Sequence, residues 1–180
     1  MPHNTSKNNY GISIIKLTDF DVEKYQFNEV AKMIFMVFDA RFTMQEYDND
    51  GEISIIDVNG FSLKHFFKVT ASFSTLKLYL KYIQDAAPLR VVQNHFINCS
   101  PVIDKLMTLA RPFIRKELFD VMHFHKPNTE TLYDFVSRDD LPKDYGGNLG
   151  TIDAIYNDWI EKVYQKRYAG FIFNFSLNSF

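Results

Sequence analysis

Asp57-Val58-Asn59-Gly60-Phe61-Ser62-Leu63-Lys64-His65 ends a β-prone run, turns, and opens an apolar helix. The run before it, Ile53 to Val58, has the β-branched density of a buried strand. Ser62 stands where a hydroxyl can accept a hydrogen bond from a first-turn amide. A long helical region follows to about Ala87, broken near Thr70 to Ser74, where β-branched and hydroxyl residues cluster, and ended by Pro88. The same grammar repeats outward. Ile12 to Leu17 reads as a strand, Asp19 to Tyr25 as a loop, and Phe27 to Phe42 as a mostly buried helix. Tyr47 to Gly51 is a polar turn. Val91 to Asn98 is a third strand, and Pro101 opens the next helix where a missing amide costs little. Pro112 interrupts that helix, because proline lacks the donor and clashes with the preceding turn. His123 to His125 makes a short fourth strand, Thr129 to Ser137 a helix, Leu141 to Gly147 a turn, and Ile152 to Arg167 an amphipathic helix. Strands separated by helices predict an α/β domain with a mainly parallel sheet.

At 180 residues the chain fits one domain with a substantial core. Apolar residues make up 46%, with 18 Phe and 10 Tyr, a load that suits either a Phe-rich core or an apolar cavity. Twenty basic against 22 acidic residues argue against a nucleic-acid footprint. The single Cys99 cannot form an internal disulfide, which fits a reducing compartment. Residues 1–10 are polar, without a signal core, and read as a flexible N-terminus. No run reaches the ~20 apolar residues that span a bilayer. These features predict a cytoplasmic protein.

No motif carries catalysis. Asp57, Gly60 and His65 lack a G-x-S-x-G elbow, and the simpler reading ties strand end to helix by hydrogen bonds. His123 and His125 would share a strand face with His95 nearby, but no thiolate pair or known spacing accompanies them, so no metal is expected. Gly146-Gly147 matches no phosphate loop and serves a tight turn, with Tyr145 as an anchor. Within Pro101 to Leu118, Val102, Ile103, Leu106, Met107, Leu109 and Ala110 make a broad apolar face, the pattern of a core helix and equally of a lid.

Three segments in order carry a resemblance: Asp57 to His65, Asn94-His95-Phe96-Ile97-Asn98 before Pro101, and Leu141-Pro142-Lys143-Asp144-Tyr145-Gly146-Gly147. With Gln84 to Arg90 and Arg111-Pro112-Phe113 they resemble the CRAL-TRIO lipid-binding family, of the tocopherol-transfer, clavesin and retinaldehyde-binding kind, from about Gly11 to Trp159. The resemblance implies a wedge in which a mainly parallel sheet floors an apolar pocket closed by helices and a mobile gate. It implies a lipid-binding domain over 11–168, a gate over Pro101 to Leu118 hinged at Arg111-Pro112, and a hydrophobic lipid as ligand with no other cofactor. Pocket walls are expected from Ile34, Phe38, Ile56, Val69, Tyr79, Tyr82, Ile83, Val91, Ile103, Leu106 and Met107, the two tyrosines orienting a polar group.

Two functions follow from the resemblance. One is non-enzymatic binding and intermembrane transfer of a tocopherol-, retinoid- or phospholipid-like molecule by a monomer that touches membranes transiently. The other is a membrane adaptor reading phosphoinositides through Arg90, Arg115 and Lys116. Three departures stand out. Only ten residues precede Gly11, where the family usually has a helical domain. Val92, Glu117 and Val121 stand where phosphoinositide-binding members tend to carry Lys or Arg. The tail 169–180, with Phe171-Ile172-Phe173-Asn174-Phe175, is apolar where the family's end is polar.

Overall fold

Four of the β-prone runs pair side by side in chain order, so every helix between them is a crossover. The computed structural model describes residues 3–4, 9–43, 50–88 and 90–165. Strand β1 (His3–Asn4) is a two-residue edge strand antiparallel to β2 (Tyr10–Lys16). Strand β2 pairs in parallel with β3 (Gly51–Asp57), β3 with β4 (Val91–Ile97), and β4 with β5 (Met122–Phe124). Helix α1 (Phe27–Thr43) joins β2 to β3. Helices α2 (Leu63–Ala71) and α3 (Phe73–Asp85), broken at Ser72, join β3 to β4. Helix α4 (Pro101–Ala110), a 3-10 turn over Arg111–Phe113 and α5 (Lys116–Asp120) join β4 to β5. Parallel crossovers are right-handed, so a sheet in sequential order puts all five helices on one face.

The far face is covered by the rest of the chain. Ile12, Ile14, Ile53, Ile55 and Ile97 pack there against Leu132, Val136, Leu141 and Ile152. A parallel sheet needs both faces covered, and this layer supplies the second cover. It is built mostly of 3-10 turns. The helix expected over Thr129 to Ser137 is a single 3-10 turn, Thr131–Asp134, which buries Leu132 on the sheet, with Val136 buried just beyond it. Ser137 then caps the next turn, accepting from the Asp139 amide at 3.3 Å. Helix α6 (Ile152–Gln165) follows, its first amide donating to Asp144 Oδ2 at 2.7 Å. The rest of the expected last helix, the 47–49 turn and the 169–180 tail lie outside the described residues.

Gly146 and Gly147 are needed for different reasons. Gly146 has φ +68°, which a side chain disfavours. At Gly147 a Cβ would collide with the Leu141 carbonyl.

One ionic contact anchors the helical face. Arg41 on α1 pairs with Glu52 on β3, both 1% exposed, and Ser13 Oγ on β2 donates to the same Glu52 oxygen at 2.5 Å. Three elements are tied together at one carboxylate.

Candidate functional site

The register defines two surfaces on the sheet. Cross-strand partners Ser13, Ser54, Asn94 and Met122 form one row, and Ile15, Ile56, Phe96 and Phe124 form the next. Partners across a pleated sheet share a face. Met122 packs into the helical cluster of Val69, Leu76, Leu80, Ala110 and Ile114, so both rows face the helices. On β4 the far-face His95 and Ile97 are sealed, at 0% and 7% exposed, while Gln93 on that face is half-buried. Their helix-facing neighbours Val91, Asn94 and Phe96 are only half-buried, as is Ile56, and Phe124 is 41% exposed. Phe96 and Phe124 stack with ring centroids 5.1 Å apart. The helical layer thus covers an apolar sheet face incompletely.

The expected wall residues divide into three groups by element and burial. Ile56 and Val91 lie on the sheet itself, on β3 and β4. Ile34 and Phe38 on α1 and Ile103 on α4 are buried, and Ile83 on α3 is half-buried. Val69, Tyr79, Leu106 and Met107 belong to the helical cluster and pack helix on helix. Tyr79 stacks on Phe35 at 6.0 Å, and burial pushes its phenol up to about 12. Tyr82 packs on Phe35 at 4.2 Å and donates to Asp39 Oδ1 at 3.2 Å. Burial first, then Asp39, pushes its phenol up to about 12 as well. Both hydroxyls therefore stay protonated donors across the physiological range.

The segment Pro101 to Leu118 is fastened at its break. The Gln84 side chain donates to Leu80 O at 2.7 Å and Phe113 O at 3.0 Å, and accepts from the Arg115 amide at 2.7 Å. One amide therefore holds both sides of Ile114 to α3, as a neighbouring strand would. Arg111 donates to Ile114 O at 3.0 Å and lies 4.2 Å from the Phe119 ring centroid. Residue spacing could not reveal this latch, because Gln84 sits in an ordinary helical position.

Two of the three expected cationic residues are engaged by carboxylates. Arg115 pairs with Asp85 and Lys116 with Asp120. Arg90 is exposed just before β4, its carbonyl accepting from the Glu52 amide at 2.8 Å.

The groups that invite an acid-base reading are structural. Asp57 accepts from the Asn59 amide at 3.0 Å, Asn98 Nδ2 at 2.8 Å and Tyr145 OH at 3.1 Å, tying two strand ends to the far layer. Burial, then Asp57, raises the Tyr145 phenol well above its usual range. His65 is the third helical residue of a capping box, its Nδ1 accepting from the Ser62 amide at 3.2 Å. A cleft of about 220 Å³ lies between Lys16, Phe20, Asn59 and Tyr145, with Asp57 and Asp144 on its wall. Both carboxylates are already engaged by the bonds above. Cys99 donates to Phe96 O at 3.2 Å, and burial pushes its thiol up to about 11, so it is no nucleophile at neutral pH.

The histidines bond one another on the far face. His95 Nδ1 lies 3.0 Å from His125 Nε2, and its Nε2 lies 3.2 Å from Gln93 Oε1. His123 stacks on His95 at 4.9 Å. Among the described residues no cluster could hold a metal ion. Burial, then the neighbouring His123 and His125, hold His95 down to about 3. An unfolded histidine titrates near 6.5, so between about pH 6.5 and 3 the unfolded chain binds the extra proton. The stability from neutral His95 is full above that window and lost as pH falls through it. From pH 7 to pH 5 the fold should lose about 2 kcal/mol through His95 alone. Urea midpoints at the two pH values check this, and equal midpoints would refute it.

Among the described residues no helix is long and apolar enough to cross a membrane. Residues 1–147 match the CRAL/TRIO domain family. The chain is 29% identical over 150 residues to Clavesin-1 of Xenopus laevis, covering 82% of this chain and 45% of that protein. It is 29% identical over 146 residues to Clavesin-2 of Homo sapiens, covering 80% and 44%. The chain thus spans less than half the length of these relatives. In fold it is similar to the crystal structure of Sfh5, with TM-score 0.52 and 12% identity, over 91% of this chain and 64% of that one. A sequential parallel sheet, helices on one face and a family match over most of its length agree: the chain belongs to the CRAL/TRIO domain family.

Proposed function

We propose that this chain is a non-enzymatic carrier that binds one hydrophobic lipid between the sheet and its helical layer and moves it between membranes. The observation that carries this reading is the incompletely covered apolar face, Ile56, Val91, Phe96 and Phe124, opposite helices that pack chiefly on one another. A buried methylene is worth about 0.8 kcal/mol, so a long-chain lipid gains on the order of 10 kcal/mol over water there. A membrane offers nearly the same gain. Preference among lipids therefore comes from shape and a few polar contacts, and exchange rate from opening of the Pro101 to Leu118 gate. Native mass spectrometry of protein purified from a lipid-rich lysate should show one bound lipid. No co-purified lipid, and no uptake of tocopherol, retinol or phosphatidylinositol when offered, would sink the reading.

A phosphoinositide-reading adaptor is the weaker alternative, because the pairing of Arg115 and Lys116 with carboxylates offsets their charge. On the carrier reading, liposome binding should be insensitive to salt and to phosphoinositide content. Strong dependence on both would favour the adaptor.

The Gln84 latch supports a gate with a defined catch. Gln84→Ala removes its three side-chain hydrogen bonds, each worth about 1 kcal/mol net. Lipid release to acceptor vesicles should accelerate by about tenfold or more, with the far-face core untouched. Unchanged release from a folded Gln84→Ala chain would show that opening does not pass through this latch.

A further inference from the structure

The helix-facing rows hold one group that an apolar pocket does not explain. Asn94 lies on β4 between Val91 and Phe96, with Ser54 as its partner on β3 and Met122 on β5. Its Oδ1 is buried and accepts no hydrogen bond from any described residue. Of the two serines in the row, Ser13 donates to Glu52. A buried amide oxygen without a donor is costly, and native folds rarely keep one without use. On the sheet, Ile56, Val91 and Phe96 carry no donor, and the hydroxyl of its cross-strand partner Ser54 makes no hydrogen bond to it.

We propose that Asn94 selects lipids bearing a hydroxyl, an alcohol or phenol whose O–H donates to Asn94 Oδ1. The inference rests on the carrier reading and adds the polar end of its ligand. A hydroxyl suits the place because it donates to the amide oxygen and also accepts from a neighbouring hydroxyl such as Ser54. An aldehyde, ester or ether can only accept, and would leave Oδ1 unpaired on binding. Discrimination against the analogue lacking the donor follows, since a buried polar group left unpaired penalises the wrong ligand. The apolar body of the ligand then lies along the Ile56, Phe96 and Phe124 side, away from the Glu52–Arg41 pair.

The experiment compares α-tocopherol with its methyl ether, and retinol with its methyl ether, on the full 180-residue chain. In each ether a methyl group replaces the donor hydrogen. The alcohol should bind at least tenfold more tightly, about 1.4 kcal/mol. In Asn94→Leu, close in size and without the amide, the alcohol-to-ether ratio should fall to near one. Equal binding of alcohol and ether by the unaltered chain overturns the proposal with the carrier reading intact. That comparison needs no variant, so misfolding of Asn94→Leu would not shelter the idea. A folded Asn94→Leu chain that keeps the preference also overturns it. If neither alcohol nor ether binds and no lipid co-purifies, the carrier reading fails, and this inference with it.

Discussion

Glu52→Ala should destabilise the fold by about 3–5 kcal/mol, because it removes a buried carboxylate from beside a buried guanidinium rather than merely deleting a surface contact. Arg41 and Glu52 are each 1% exposed, and water cannot re-solvate the remaining charge without disturbing α1 and the sheet. The Ser13 hydroxyl loses its acceptor in the same step. Domains of this size are stable by only about 5–15 kcal/mol, so the variant should be marginal at 37 °C. Urea unfolding followed by circular dichroism gives the number. A midpoint corresponding to less than about 1 kcal/mol of loss would mean that the pair is open to solvent. Replacing both partners, Glu52→Leu with Arg41→Met, should recover most of the stability, since an apolar pair of similar volume avoids the desolvation cost.

Leu106→Asp with Met107→Asp should cut vesicle-to-vesicle transfer of a fluorescent tocopherol analogue by at least tenfold. Both residues are half-buried on α4, one turn before the Pro112 break, and pack on the helical cluster. Two carboxylates there disfavour ligand retention and contact with a membrane alike. The far-face core of Ile55, Leu141 and their neighbours is untouched. Cooperative unfolding should therefore persist, with a smaller midpoint shift than for Glu52→Ala. Lids belong to the less stable parts of a fold, which is why function should suffer more than stability. A soluble double variant with normal transfer would count against a gate. Outright unfolding would make the segment part of the core.

These two variants probe parts of the molecule that differ in how readable they were. The strands at 53–58 and 91–98, the break between α2 and α3, and the interruption at Pro112 were legible from periodicity and local chemistry. Each is a short-range matter, settled within one or two turns of chain. The same holds for the strand-end turn at Asp57 and the helix start at Ser62, whereas the bond from Tyr145 to Asp57 joins residues far apart in the chain. The segment after β5 was read less well. Its apolar spacing fits a helix, yet the flat far face of the sheet accepts a 3-10 turn that buries Leu132, with Val136 buried just beyond it.

The rest of the candidate site depends on pairs distant in the chain. Glu52 meets its partner only because α1 brings Arg41 to it. Gln84 became a latch only when the segment after Pro112 folded back onto α3. Asn94 acquired its meaning from the register of β4 with β3, since a shift of one residue would have turned it to the far face. By itself, then, the sequence determined the elements, their order and the family, because those depend on local conformational preference and recurring short motifs. Only the tertiary structure decided which side of the sheet each polar residue faces, and which partners 11 to 41 residues away it meets. Facing and partnership are set by strand register and crossover hand, which act between segments and leave no trace in any one of them.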